Sequence, residues 1–221
     1  MEITLIKAVI FDFDGLILDT ESEWYHAYKE TLGLYNCELP LEQFVKSVGS
    51  EDTILYDYFK EQLGERYNPE EIKAKAKSIH KIRMKTLRAR EGVKDYLDEA
   101  RKLNYKIALA SSSRNKWVTD YLNKLGLLHY FDFIISRDDV LKVKPAPDLY
   151  LKAIEVLNIH PTEAVAFEDS LNGLHSALSA GLKCVIIPNP VTESLAFENH
   201  HLRLQSMSEV CLTDVIKLID K

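Results

Sequence analysis

Five short apolar runs set the strongest limit on what this chain can fold into. Lys7–Phe13 (KAVIFDF), Lys106–Ala110 (KIALA), Phe131–Ile135 (FDFII), Ala164–Phe167 (AVAF) and Lys183–Ile187 (KCVII) are continuous rather than alternating. Continuous runs of this kind suit strands covered on both faces, as in a parallel sheet. Helical patterns at roughly 93–103, 114–125, 147–157 and 172–180 fall before and between the last four. Strand and helix in alternation imply right-handed crossovers and an α/β fold, a three-layer Rossmann-like core around a central parallel sheet.

The stretch from about 20 to 90 breaks the rhythm and holds no good strand. Thr20 and Glu23 have capping-box spacing, and Gly33 suits the end of that helix. Pro40 can open a second helix, and Ser50 can cap a third that stops near Gly64. Asn68, Pro69 and Glu71 mark a fourth that runs to about Arg88. The expected organisation is a catalytic α/β core over 1–17 and 91–221, with a helical cap over 18–90. Residues 188–206 read as loop, and Ser206 with Glu209 offers a capping box for a last helix to about Ile219.

Composition narrows the function classes. A net charge of -6 argues against nucleic acid as the main partner. Three dispersed cysteines, Cys37, Cys184 and Cys211, give neither a disulfide framework nor zinc spacing, so a reducing cytoplasm is expected. Signal-peptide and membrane-spanning patterns are not seen. The eight glycines include neither the pair five apart of a phosphate loop nor the triplet of a dinucleotide fingerprint. G-x-S-x-G and H-E-x-x-H are also missing, and the adjacent His200 and His201 read as solvated loop residues.

Chemistry concentrates at strand ends. Asp12 and Asp14 close the first run, two residues apart and so on one face of a strand, and Gly15 permits a sharp turn after them. Taken alone, the pair also reads as an acidic turn. Glu168 and Asp169 follow the fourth run, Ser111–Ser113 and Asn115 follow the second, and Lys144 precedes Pro145 and Pro147. Parallel sheets bind ligands beyond the carboxyl ends of their strands. Carboxylates for a hard cation, with hydroxyls, helix N-terminal amides and an ammonium for oxyanions, are what a phosphate dianion with Mg²⁺ requires. Ser112 and Ser113 also suit a plain turn, and Gly173 suits helix packing. Trp117, Tyr121 and Leu125 read as packing at helical spacing, and Asp19 and Thr20 as hinge and cap.

The segments FDFDGLILDT (11–20), LASSS (109–113), KPAPD (144–148) and FEDSLNG (167–173) resemble the haloacid dehalogenase superfamily, in the subgroup with a helical cap that includes β-phosphoglucomutase-like and phosphoglycolate-phosphatase-like enzymes. The resemblance covers nearly the whole chain. It implies Asp12 as a nucleophile that becomes an aspartyl phosphate, and Asp14 as general acid/base that also lends its backbone carbonyl to the metal. It implies Ser111, Lys144 and Asn115, with Ser112 beside them, at the phosphoryl group. Asp169 would complete a Mg²⁺ site holding Asp12 and Asp14, with Glu168 as ligand or next to the ligands. The cap would select the leaving group, with Trp24 and Ser50 as candidate contacts.

Mutases of the subgroup carry a cap histidine and a cap arginine. Here Trp24 and Ser50 stand at those positions, with Lys46 and Arg83 as conceivable substitutes. Loss of a bidentate guanidinium disfavours gripping a second phosphate. The expectation is hydrolysis of a small soluble phosphate ester, with sugar phosphates as the class suggested by analogy. The alternatives are a β-phosphoglucomutase-like mutase, a dehalogenase, or a phosphate-binding or phospho-accepting regulatory module. Neither a nucleic-acid nor a membrane partner is expected, and a monomer is compatible with the sequence.

Overall fold

The computed structural model describes residues 6–48 and 53–220, which separate into two compact units. The larger comprises residues up to Leu18, Arg88–Pro188 and the segment from Leu195 onward. The smaller comprises Asp19–Leu87 and Asn189–Ser194.

The larger unit is built on a six-stranded parallel sheet in the order β3-β2-β1-β4-β5-β6. The strands are β1 (Ala8–Phe11), β2 (Lys106–Ala110), β3 (Phe133–Ile135), β4 (Ala164–Glu168), β5 (Lys183–Ile186) and β6 (Leu202–Arg203). Their continuous apolar character follows from burial on both faces. Ala8, Ile10, Ala108, Ala166 and Ile186 pack on one side with α7 (Asp148–Leu157) and α8 (Leu171–Ser179). On the other side Phe11 stacks on Phe167, and Tyr96 of α5 (Val93–Lys102) meets Phe167 edge-on. The last helix, α9 (Leu212–Ile219), contacts α5. α6 (Asn115–Leu125) joins β2 to β3 and buries Val118 and Leu122.

β1 lies at the centre, with Val9 opposite both Ile107 and Val165. The chain runs outward from β1 through β2 to β3, then returns to place β4 on β1's other flank. The carboxyl ends of β1 and β4 therefore bound the switch point, where such sheets form crevices. Beyond β1, Gly15 has φ +88° and its N–H donates to Leu18 O at 2.7 Å. Leu18 forms an antiparallel bridge with Ala89, and Arg90 N–H donates to Ile17 O at 2.9 Å. The Arg90 guanidinium donates to Gly15 O, Ile187 O and Pro188 O. The chain thus leaves and re-enters this unit at one pinned point.

The smaller unit contains α1 (Thr20–Gly33), α2 (Leu41–Val45), α3 (Thr53–Leu63) and α4 (Pro69–Arg83) around Tyr28, Leu32, Phe44, Phe59 and Ile72. Val191 completes this cluster, which explains why 189–194 group with the helices although they read as plain loop. No helix among the described residues is long and apolar enough to cross a membrane, and all three cysteines are free.

Three local expectations are corrected. The cap of α1 is Asp19, whose Oδ1 accepts from Ser22 N–H at 3.1 Å; Thr20 is already helical, and Glu23 pairs with Arg83. α9 begins after Cys211, because Ser206 and Glu209 close a turn of their own through Ser208 N–H and Gln205 N–H. His201 is not merely solvated: its ring Nδ1 accepts from Cys184 N–H at 3.2 Å, where the unforeseen strand β6 joins the sheet edge.

His80 of α4 is 5% exposed and stacks on Trp24 at 3.8 Å. Burial lowers its pKa to about 4. The unfolded chain takes up the proton near 6.5 and the folded chain only near 4. Stability is therefore full above that window and falls as pH drops through it, by at most about 1.4 kcal/mol per pH unit. Urea midpoints between pH 4 and 7 should fall more steeply for the native chain than for His80→Phe; parallel curves would contradict this.

Candidate active site

Asp12 follows β1 directly, and its N–H donates to Phe167 O at 3.1 Å, extending the β1–β4 ladder by one residue. That places its side chain beside Glu168 and Asp169 at the end of β4. One oxygen from each of the three carboxylates lies within 4.8 Å of the others, and all three residues are buried.

Lys144 reaches into this cluster from the loop before α7. Its Nζ donates to Asp12 Oδ1, to Glu168 Oε1 at 2.6 Å and to Ala110 O at 2.7 Å, and lies 5.1 Å from the centre of the Tyr150 ring. Its side chain is only 5% exposed. The loop is fastened by Ala146 N–H to Val143 O and by Ser176 Oγ to Ala146 O. Burial alone would drive Lys144 to lose its proton, yet the facing Asp12 and Glu168 carboxylates outweigh it and hold the ammonium well above its usual range. Burial pushes the Asp12 carboxyl upward, opposed by Lys144 and reinforced by Glu168.

Glu168 is fully buried and saturated. Its Oε1 accepts from Lys144 and from Tyr150 O–H at 2.6 Å, and its Oε2 from Asp169 N–H and Ser170 O–H. Gly173 makes room for it, since a Cβ there would stand 1.9 Å from the Glu168 carboxylate carbon. The cluster sets three carboxyl groups against one ammonium. A divalent hard cation that prefers oxygen ligands matches that grouping and spacing, with Asp12 and Asp169 as the carboxyl groups beside the enclosed Glu168.

Asp14 takes a different direction. Its Oδ2 accepts from Ser113 Oγ at 2.6 Å and from Ser111 Oγ at 3.4 Å, and its Oδ1 from Trp117 Nε1 at 3.0 Å. The Asp14 side chain therefore lies outside the three-carboxylate cluster. Ser111 is 1% exposed and also accepts from Ser113 N–H at 3.0 Å. Ser112 lies between them, half-buried. Asn115 opens α6, but its N–H is taken by Asp138 at 3.0 Å, so that helix-start amide is already occupied. Trp24 belongs to the helical unit, stacked on His80, and Ser50 lies outside the described residues.

A sequence profile described as haloacid dehalogenase-like hydrolase matches residues 9–187. The chain belongs to this family. Among haloacid dehalogenase-like relatives, a candidate phosphatase named YhcW from Bacillus subtilis (strain 168) is 45% identical over 207 residues, spanning 93% of this chain and 94% of the relative. A phosphorylated carbohydrates phosphatase from Thermotoga maritima is 31% identical over 182 residues, spanning 80% and 83%. Among solved haloacid dehalogenase-like structures, CbbY from Rhodobacter sphaeroides in complex with phosphate superposes with a TM-score of 0.73 at 28% identity, covering 93% of this chain and 96% of that one.

Trp117, Tyr150 and Gly173 escaped sequence reasoning as parts of this site, whereas Ser113 is legible as one of the strand-end hydroxyls that also suit a plain turn. Tyr150 and Gly173 serve Glu168 rather than a ligand. A signal existed for Trp117: it lies in the first turn of the helix after a strand end, the part of a crossover nearest the carboxyl edge.

Gly173→Ala should displace the Glu168 carboxylate and cost on the order of 1–3 kcal/mol, with turnover falling in step as Lys144 loses its partner. Denaturant titration and steady-state rates check this; an unchanged midpoint would contradict the packing argument.

Proposed function

We propose that this chain is a Mg²⁺-dependent phosphatase that hydrolyses a small phosphate monoester through an aspartyl phosphate on Asp12. The observation that carries the reading is the Lys144 ammonium bridging Asp12 and Glu168, with Asp169 alongside. Such a cluster can hold a phosphoryl group at the tip of one carboxylate. Positioning and positive electrostatics dominate phosphoryl transfer, and carboxylates are established acceptors. Asp12, Asp169 and the Asp14 backbone carbonyl would hold Mg²⁺, which when bound would supply charge neutralisation at the phosphoryl oxygens.

The residues divide the work. The Asp12 carboxylate attacks phosphorus as the ester P–O bond breaks, and Asp14 gives its proton to the leaving alkoxide. Asp14 then takes a proton from water, which attacks the same phosphorus and frees phosphate and the Asp12 carboxylate. Lys144 and Ser111 hold the phosphoryl oxygens, with Ser112 and Asn115 as candidates beside them. Leaving-group selection falls to the helical unit, with Trp24 and Ser50 as first candidates. Sugar phosphates are the proposed class, in keeping with the phosphorylated carbohydrates phosphatase among the relatives.

Hydrolysis is favoured over mutase chemistry by the state of Arg83. Its guanidinium is bound to Glu23 at 2.5 Å and Glu30 at 2.8 Å, so its charge is matched within the helical unit. A passive phosphate-binding module would have little need for a buried cluster of this charge.

A screen of phosphorylated metabolites with Mg²⁺ tests the reading. Asp12→Asn should lose at least about 10³-fold in turnover, chelation should abolish activity, and added Mg²⁺ should restore it. A hexose 1-phosphate should yield free phosphate rather than an isomer. Undiminished hydrolysis in Asp12→Asn, or isomerisation without phosphate release, would contradict the proposal.

A further inference from the structure

Trp117 has no part in the reaction as proposed, yet its indole N–H points at Asp14 Oδ1 over 3.0 Å. An indole nitrogen can only donate. Whatever the protonation state of Asp14, Oδ1 must therefore remain an acceptor while this bond stands. The other oxygen faces two hydroxyls, Ser113 Oγ at 2.6 Å and Ser111 Oγ at 3.4 Å. A hydroxyl can donate to a carboxylate and then turn to accept from a carboxylic acid.

We infer that Trp117 is a positioning residue for Asp14: its indole N–H engages Oδ1 and, with Ser113 and Ser111 on Oδ2, fixes the orientation of the carboxyl group. The inference rests on Asp14 being the general acid of the reaction proposed above. The indole is held for this task. Trp117 packs against Tyr121 one helical turn on, with ring centres 4.5 Å apart, and the Lys124 ammonium covers Tyr121 at 4.3 Å. The start of α6 is fixed by Asn115 N–H on Asp138.

Because kcat/KM ends at ester cleavage, a carboxyl free to rotate lowers it only where the leaving group needs protonation; the later water step, which also uses Asp14, enters kcat alone. Trp117→Phe keeps the ring and removes the donor. For an alkyl phosphate, whose alkoxide requires the proton, kcat/KM should fall roughly tenfold, carried by kcat with KM little changed. For p-nitrophenyl phosphate, whose phenolate leaves unprotonated, kcat/KM should stay within about twofold. Asp14→Ala should show the same selectivity, larger in size. Independently of turnover, one of the two indole N–H proton resonances should move upfield in Asp14→Ala, and either single-tryptophan variant identifies it as that of Trp117. Equal loss on both substrates, no loss on either, or an unmoved indole resonance would overturn the inference while Asp14→Ala still discriminates. If Asp14→Ala itself fails to discriminate, the acid role of Asp14 falls and the inference with it.

Discussion

The Lys144 ammonium is the contact on which the rest of the catalytic end depends. It is drawn out of water and held between Asp12 and Glu168, with the Ala110 carbonyl as a further acceptor. Isolated burial of such a charge costs several kcal/mol, and it persists here because carboxylates from two strands and a carbonyl from a third converge on it. In return it offsets the repulsion between carboxyl groups crowded at the switch point of the sheet. Much of the local structure maintains that exchange. Glu168 is fixed by Tyr150 and seated over Gly173, and the loop carrying Lys144 is tied to α8 by Ser176.

The two acids after β1 have opposite surroundings although they stand two residues apart. Asp12 lies in the ionic cluster with a cation in contact, which suits the phosphoryl-acceptor role proposed for it. Asp14 is half-buried among an indole and two hydroxyls, all of them neutral donors. The different roles proposed for the two acids would arise from environment rather than identity, a recurrent device in acid–base catalysis. Gly15 and the Arg90 contacts hold the backbone just beyond the strand end.

The sheet and the acids were legible in the sequence because their signals are local. KIALA is an unbroken apolar run and becomes β2 over the same residues. Asp12, Glu168, Asp169 and Lys144 could be placed near one another by requiring all strand ends to share one edge. What escaped depends on tertiary contact. β6 is two residues long and exists only by pairing with β5. Asp19 displaced Thr20 as a cap, although both have the chemistry for it. The bond from Trp117 to Asp14 spans 103 positions, and helical spacing can mark Trp117 only as a packing residue.

Quenching a reaction in progress with borohydride, then mapping the peptides, tests the central claim most directly, because an aspartyl phosphate is reduced to homoserine while a free carboxylate is untouched. The account predicts homoserine at position 12, dependent on substrate. Homoserine at position 14 or 169, or continued turnover with none trapped anywhere, would contradict it.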